Sequence, residues 1–125
     1  MIRGYYRELK KSAKPKRFAA LRDEPFLAWI RQQPCCIGGV RSGEWIWVPF
    51  PGGRTGKVPA RIEAAHVKAR STAGPDRGNV VPMELSVHRA QHRMGIKTFQ
   101  RMHNVNLPEL AQKYAEEYER KHGER

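Results

Sequence analysis

Two histidines, His88 and His92, stand four residues apart in "VHRAQHRM", just after the short apolar run "NVVPM". On a helix that spacing puts both side chains on one face, with Cβ atoms roughly 6 Å apart. Neutral imidazoles so placed can share one divalent first-row ion. A chain with five histidines will also pair two of them by chance, so the pair alone leaves both readings open. His66 narrows the choice. It closes the strand-like run "RIEAAH" and is followed by a turn-rich loop, "KARSTAGPDRG", that leads to Asn79. In a hairpin-plus-helix unit, the end of the first strand and one face of the helix line the same cleft. His66 can therefore meet an ion held by His88 and His92, or act beside it.

The elements that must position these residues follow from periodicity and turn chemistry. A helix is expected from Asp23, an N-cap residue with Pro25 in the first turn, to Gln33-Pro34; Phe26, Leu27 and Ile30 form its apolar face, with Trp29 beside it. "CCIGGVRSG" is a turn-rich link. "EWIWVPF" (44–50) and "VPARIEAAHV" (58–67) are β-type runs around the Gly-rich tip "PGGRTGK" and are expected to pair as a hairpin. The tip is not a phosphate loop, because Pro51 stands where a Walker motif needs Gly and Val58 follows the Lys in place of Ser or Thr. Trp45 and Trp47 alternate onto one face of this hairpin and are expected to pack against a helix, with base stacking as the alternative. "NVVPM" (79–83) is a short strand whose Pro82 argues for an edge or a strand end. A helix follows from Leu85 to Met94 and stops at Gly95. A short helical segment, "KTFQRMHNV", comes next. The last helix opens with Asn106 and Glu109 as a capping box and stripes Leu107, Leu110, Ala111, Tyr114, Ala115 and Tyr118 along its core face. Met94, Phe99 and Met102 are expected in the core, and His103 and His122 outside the site. The fold class is α+β, with residues 58–94 as the chemical core inside a domain spanning 23–125.

Charge points to a partner. The 125 residues carry a formal net charge of +12, which implies an anionic partner, nucleic acid above all. Residues 1–22 hold eight Lys or Arg, among them Lys10, Lys11, Lys14, Lys16 and Arg17, against Glu8 alone. They read as a flexible basic arm that tethers to phosphates, and their removal should flatten the salt dependence of binding. No apolar run is long enough to cross a membrane, and no apolar segment near the N-terminus suggests a secretory signal. The two cysteines, Cys35 and Cys36, are adjacent and cannot staple the fold by ordinary disulfide geometry. A cytoplasmic setting is expected.

The pattern His66, twelve residues, Asn79, eight residues, His88, three residues, His92 resembles the HNH (ββα-metal) endonuclease motif, and is close to its bacterial-toxin DNase version. Through "IEAAHV", "VPMELSVHRAQHRMG" and "KTFQRMHNV" the chain is also similar to phage-encoded HNH proteins, including the Ref-type recombination nucleases. The resemblance spans residues 25–118 and implies a ββα-metal core braced by N- and C-terminal helices. It further implies hydrolysis of DNA phosphodiester bonds to 5′-phosphate and 3′-hydroxyl ends, in a phage or prophage protein acting in a bacterial host. Carried over residue by residue, His66 would be the general base, Asn79 would orient the loop and that histidine, and His88 and His92 would hold Mg²⁺, Mn²⁺ or Zn²⁺. The chemistry is coherent: a histidine is suited to making a nucleophile from water near neutral pH, and a divalent cation to taking up charge on the phosphate and leaving oxygen. Arg70, Arg77, Arg89 and Arg93 flank the expected cleft and are candidate phosphate contacts.

Two positions depart from the family pattern. Ala65 stands where Asp or His usually precedes the catalytic histidine as a further ligand. Glu63, on the same face of the strand by alternation, could replace that ligand directly or through water, with Asp76 a weaker candidate. Alternatively His66 itself ligates the ion and another group is the base. Glu84 stands where a zinc-knuckle cysteine is often found, and no CxxC is present, so no structural zinc is expected. Three readings follow: a metal-dependent HNH endonuclease; an HNH-like DNA-binding accessory protein without turnover, disabled at Ala65; and an RNA-binding protein with a coincidental histidine pair.

Overall fold

The computed structural model describes residues 22–68 and 76–123. The arm with Lys10, Lys11, Lys14, Lys16 and Arg17, and the loop residue Arg70, lie outside these residues. Helix α1 spans Glu24–Arg31, with Pro25 in its first turn and Phe26, Leu27 and Ile30 buried. Asp23 precedes it as expected, but its side chain does not cap the helix; its carboxylate is taken by Arg77 instead.

Strands β1 (Trp45–Phe50) and β2 (Arg54–Pro59) form one antiparallel hairpin. Strands β3 (Ile62–His66) and β4 (Val80–Glu84) form a second. The run 58–67 is thus divided between two sheets rather than serving as the single return strand of the first hairpin. Pro59, with no N–H to extend a ladder, ends β2. Ala60 then donates its N–H to the Glu44 carbonyl at 2.6 Å and the chain turns away. From Ile62 it pairs with the strand some twenty residues on, in register from Ile62–Glu84 to His66–Val80. Gly56 of β2, opposite Val48, sits where a Cβ would overlap the ring of exposed Phe50, so a larger residue there requires that ring to move.

All five residues of β4 are buried, and the reason is a layer on each face. Val80, with half-buried Ala64, packs on Phe26, Leu27 and Ile30 of α1. Val81, Met83 and Ala65 pack on the other face against Phe99, Leu107 and Ala111. A strand covered on both sides reads as a continuous apolar run rather than an alternating one, as "VVPM" does. Pro82 fits because β4 pairs with β3 alone and Pro82 turns its backbone to the other side, where its carbonyl accepts from Cys36 N–H at 2.9 Å, so the missing N–H breaks no ladder bond.

Helix α2 (Leu85–Met94) follows β4 with no intervening loop, its first turn capped by the Glu84 carboxylate, which accepts from Ser86 N–H at 2.9 Å. Gly95, at φ 86°, breaks it and starts α3 (Ile96–His103), a reversal that only glycine makes without strain. Helix α4 (Leu107–Tyr118) is capped by Asn106 Oδ1, which accepts from Glu109 N–H at 3.0 Å, and buries Leu107, Ala111 and Ala115. A π-turn, Glu119–Gly123, continues it. His122 stacks there on Tyr118 and contacts Trp29, so it belongs to an aromatic cluster.

Two core expectations are corrected. Met102 is exposed, while Phe99 on the same helix is fully buried. Trp45 and Trp47 are 65% and 67% exposed and do not pack on a helix. The β1–β2 hairpin stands off from the helices, half-burying only Ile46, Val48, Gly56 and Val58. Among the described residues, no helix is long and apolar enough to cross a membrane.

Candidate active site

Because α2 leaves β4 directly, its position beside β3 is set by the β3–β4 pairing and the Glu84 cap rather than by a flexible loop. The result is a cleft of about 340 Å³ lined by His66, His88, His92, Gln91, Ala64, Val67 and Lys68. His66 comes from the end of β3; the other two histidines come from one face of α2.

His88 Nε2 and His92 Nε2 are 3.1 Å apart, with ring centroids 4.7 Å apart. Nitrogens about 2.0–2.1 Å from one ion sit roughly 2.9–3.4 Å from each other in octahedral to tetrahedral geometry. The pair therefore already has the bite of a two-nitrogen chelate. His88 Nδ1 lies 2.8 Å from Glu63 Oε1. Donation of Nδ1–H to that carboxylate fixes the tautomer and leaves the Nε2 lone pair facing His92. Glu63 thereby has the geometry of a support behind His88, the carboxylate–histidine arrangement that orients metal-binding imidazoles, rather than of a third ligand. Ala65, 1% exposed, is committed to the core. Among the described residues, no group of three His, Cys, Asp or Glu side chains converges on one point. The residues present fit an ion held by two nitrogens with its other positions open to water or a phosphate oxygen.

His66 has a different partner. Its Nε2 is 2.8 Å from Oδ1 of Asp76, a carboxylate 1% exposed. Asp76 Oδ2 accepts the N–H of Asp23 at 2.9 Å, which ties the pair to the start of α1. Donation of Nε2–H to Asp76 leaves Nδ1 as the nitrogen able to take a proton. Asn79 holds the base of the same loop. Its Oδ1 accepts Lys68 N–H at 3.0 Å, its Nδ2 donates to Lys68 O at 3.1 Å, and its carbonyl accepts Val67 N–H at 2.8 Å. These bonds clamp the two residues that follow His66, so Asn79 acts on the histidine through the backbone. Its own N–H bonds Asp76 O at 2.9 Å, which joins clamp and carboxylate.

The flanking cations divide. Arg77 serves the interior: its guanidinium bonds Asp23 at 2.7 and 3.0 Å, lies 3.5 Å from Glu119, and rests over the rings of Tyr118 and Phe26. Partial burial works against its charge, yet the bonds and charges of Asp23 and Glu119 hold its pKa above the ordinary arginine value. It is a brace between α1 and the end of α4 rather than an open phosphate contact. Arg89 and Arg93 are exposed on α2 and, with Arg61, line a groove of about 430 Å³ against Val48, Phe50 and Val58 of the first hairpin. Arg31 and Arg61 border a shallow recess with Glu63 and His88. The sequence reading missed these two arginines, since only strand pairing, with the packing of α1 on the paired strands, brings residues 31 and 61 beside residue 88.

Cys35 is buried, and its Sγ accepts from the N–H groups of Glu84 and Ile37 at 3.2 and 3.4 Å. His103 packs on the Phe99 ring with centroids 4.5 Å apart. Comparison of the chain with protein-family models, with curated proteins and with solved structures found no match.

Proposed function

We propose that the chain is a metal-dependent HNH endonuclease that hydrolyses DNA phosphodiester bonds, with the β3–β4 hairpin and α2 as its ββα-metal core. The observation that carries the reading is a cleft between strand end and helix that holds two kinds of histidine at once: a chelating pair, His88 and His92, and a single histidine, His66, backed by a buried carboxylate. Phosphodiester hydrolysis needs both functions. The basic groove of Arg61, Arg89 and Arg93 beside the cleft, and the chain's net charge of +12, suit a polyanionic substrate.

In this mechanism His66 Nδ1 accepts a proton from water as the water attacks phosphorus. Asp76 stabilises the imidazolium that forms, as the carboxylate of a Ser-His-Asp triad does. Asn79 keeps the strand end still, so that the nitrogen stays aimed while charge develops. His88 and His92 would hold the divalent ion, Mg²⁺, Mn²⁺ or Zn²⁺, with Glu63 orienting His88; the bound ion supplies positive charge to the phosphate and the departing oxygen. The arginines hold the flanking phosphates without reading bases.

Ala65 favours a second reading, a DNA-binding accessory protein without turnover, because a core alanine replaces a potential ligand. Supercoiled-plasmid nicking with Mg²⁺, Mn²⁺, Zn²⁺ or EDTA separates the two. The nuclease reading expects metal-dependent nicking that His66→Ala and His88→Ala both abolish. Intact DNA binding with no nicking under any metal would transfer the assignment to the accessory protein. Metal-independent binding that prefers RNA to duplex DNA would refute both.

A further inference from the structure

The outer face of the β1–β2 hairpin is unusual for a soluble surface. By register it presents Trp45, Trp47 and Pro49 from β1 beside Pro59, Lys57 and Thr55 from β2. Both indoles are about two-thirds exposed, although tryptophan is among the residues that gain most from burial. Lys57 Nζ lies 5.5 Å from the Trp47 ring centroid, and none of these six residues is a carboxylate. The two indoles stand at alternate positions of one strand, about 6.6–6.8 Å apart along it.

We propose that this face is a stacking platform for single-stranded DNA, with bases lying on Trp45 and Trp47 and Lys57 neutralising the adjoining phosphate. The inference deepens the nuclease reading by naming the form of its substrate, and rests on that reading for DNA over RNA. Three observations select this occupant. An aromatic pair beside a cation and without an acid matches how single strands are held, because every base has a π-face and every nucleotide a negative charge. A duplex hides its base faces in the stack, so exposed indoles have nothing to lie on there. A second copy of the chain would bring +12 against +12, which opposes self-association through a face that itself carries only positive charge. The platform and the cleft are joined through the chain: β2 runs through Ala60 and Arg61 into β3, the strand that bears Glu63 and His66.

The test uses the full chain in EDTA, so that binding is read without cleavage. The probes are a fluorescein-labelled oligo(dT) of about 20 nucleotides, a duplex of equal length and an oligo(U), followed by anisotropy and by tryptophan quenching. Trp29, half-buried against Phe26 and Tyr118, is the internal background. One stacked base corresponds to about 5- to 150-fold in affinity. Trp45→Ala/Trp47→Ala should therefore weaken oligo(dT) binding about tenfold or more and duplex binding less than about threefold, with the salt slope unchanged because no phosphate contact is lost. Trp45→Phe/Trp47→Phe should retain most of the affinity, and both variants should keep the wild-type circular dichroism because the indoles are exposed.

Unchanged oligo(dT) affinity in the alanine variant would overturn the proposal, as would equal losses on single strand and duplex. Tighter, Trp-dependent binding of oligo(U) would overturn the choice of DNA. A wild-type dimer dispersed by the alanine variant would instead make the hairpin a contact between copies. Cleavage of supercoiled plasmid and of single-stranded circular DNA is scored separately: stacking with neither DNA cut by the wild type would sink the nuclease reading and leave the platform, and cleavage without stacking would do the reverse.

Discussion

Asp76→Asn tests the proposed mechanism at one atom. The native carboxylate presents one oxygen to His66 Nε2 at 2.8 Å and the other to Asp23 N–H at 2.9 Å. An amide of the same shape keeps one acceptor and turns a donor toward the second partner. If the remaining oxygen stays with the rigid Asp23 N–H, the new NH₂ faces Nε2. His66 must then move its proton to Nδ1, the nitrogen that would take the proton from water. Loss of one charge-assisted hydrogen bond at a buried site costs about 1.5–3 kcal/mol, a Tm lowered by roughly 6–12 °C for a domain of this size. The protein stays folded at 25 °C if its stability lies in the usual range. The effect on rate should be larger: a general base contributes about 10²–10⁴-fold, and the corresponding substitution in a Ser-His-Asp triad costs about 10⁴. The assay is single-turnover nicking of supercoiled plasmid at saturating metal, with wild type, Asp76→Asn, His66→Ala and the double variant. Residues acting as one unit are non-additive, so the double variant should be no slower than His66→Ala alone. Imidazole ¹⁵N shifts should report the tautomer change in the uncleaved state. Nicking by Asp76→Asn within about threefold of wild type, beside an inactive His66→Ala, would refute the assignment of Nδ1 as the base and of Asp76 as its support.

Three further outcomes follow from the geometry. Glu63→Gln should weaken Mn²⁺ or Zn²⁺ binding about 10- to 100-fold by calorimetry, because His88 loses the carboxylate that orients it; unchanged affinity would mean that Glu63 gives that imidazole no useful support. Phe99→Ala, at a fully buried ring in the layer between β4 and α4, should cost about 3–5 kcal/mol in urea unfolding with the m-value preserved. Burial, with the charge of Cys35, pushes the Cys36 thiol from 9.0 up to about 12, and burial moves the Tyr114 phenol from 10.0 to about 12. Both groups stay protonated in the fold at pH values where the unfolded chain ionises them. Their contribution is complete below pH 9 and disappears as pH rises toward about 12. Tm should therefore fall across that window, and iodoacetamide at pH 8 should modify half-buried Cys36 more slowly in the folded chain than in the unfolded one; equal rates would contradict the raised thiol pKa.

What the chain makes legible by itself is what neighbouring residues decide. The ends of α2 are written in Glu84, Leu85 and Gly95, and the start of α4 in Asn106 and Glu109, because capping and left-handed geometry involve atoms a few residues apart. The buried stripe of α4 and the apolar face of α1 follow from helical period, and the four-position spacing of His88 and His92 already places them on one face. The α+β class follows from these local signals. Strand pairing did not. "VPARIEAAHV" has the same β-type composition throughout, and only the completed fold divides it at Pro59 and gives its second half to β4, since pairing energy depends on which partner is also covered by α1, α3 and α4. The same holds for every contact that gives the site its character. Asp76 reaches His66 and Asp23 from 10 and 53 residues away, Glu63 reaches His88 across 25, and Arg77 turns from the cleft to Asp23 across 54. A charge in a sequence has no direction; loop closure and packing supply it. They also left Trp45 and Trp47 outside the core, on a face that only the tertiary structure could show to be uncovered.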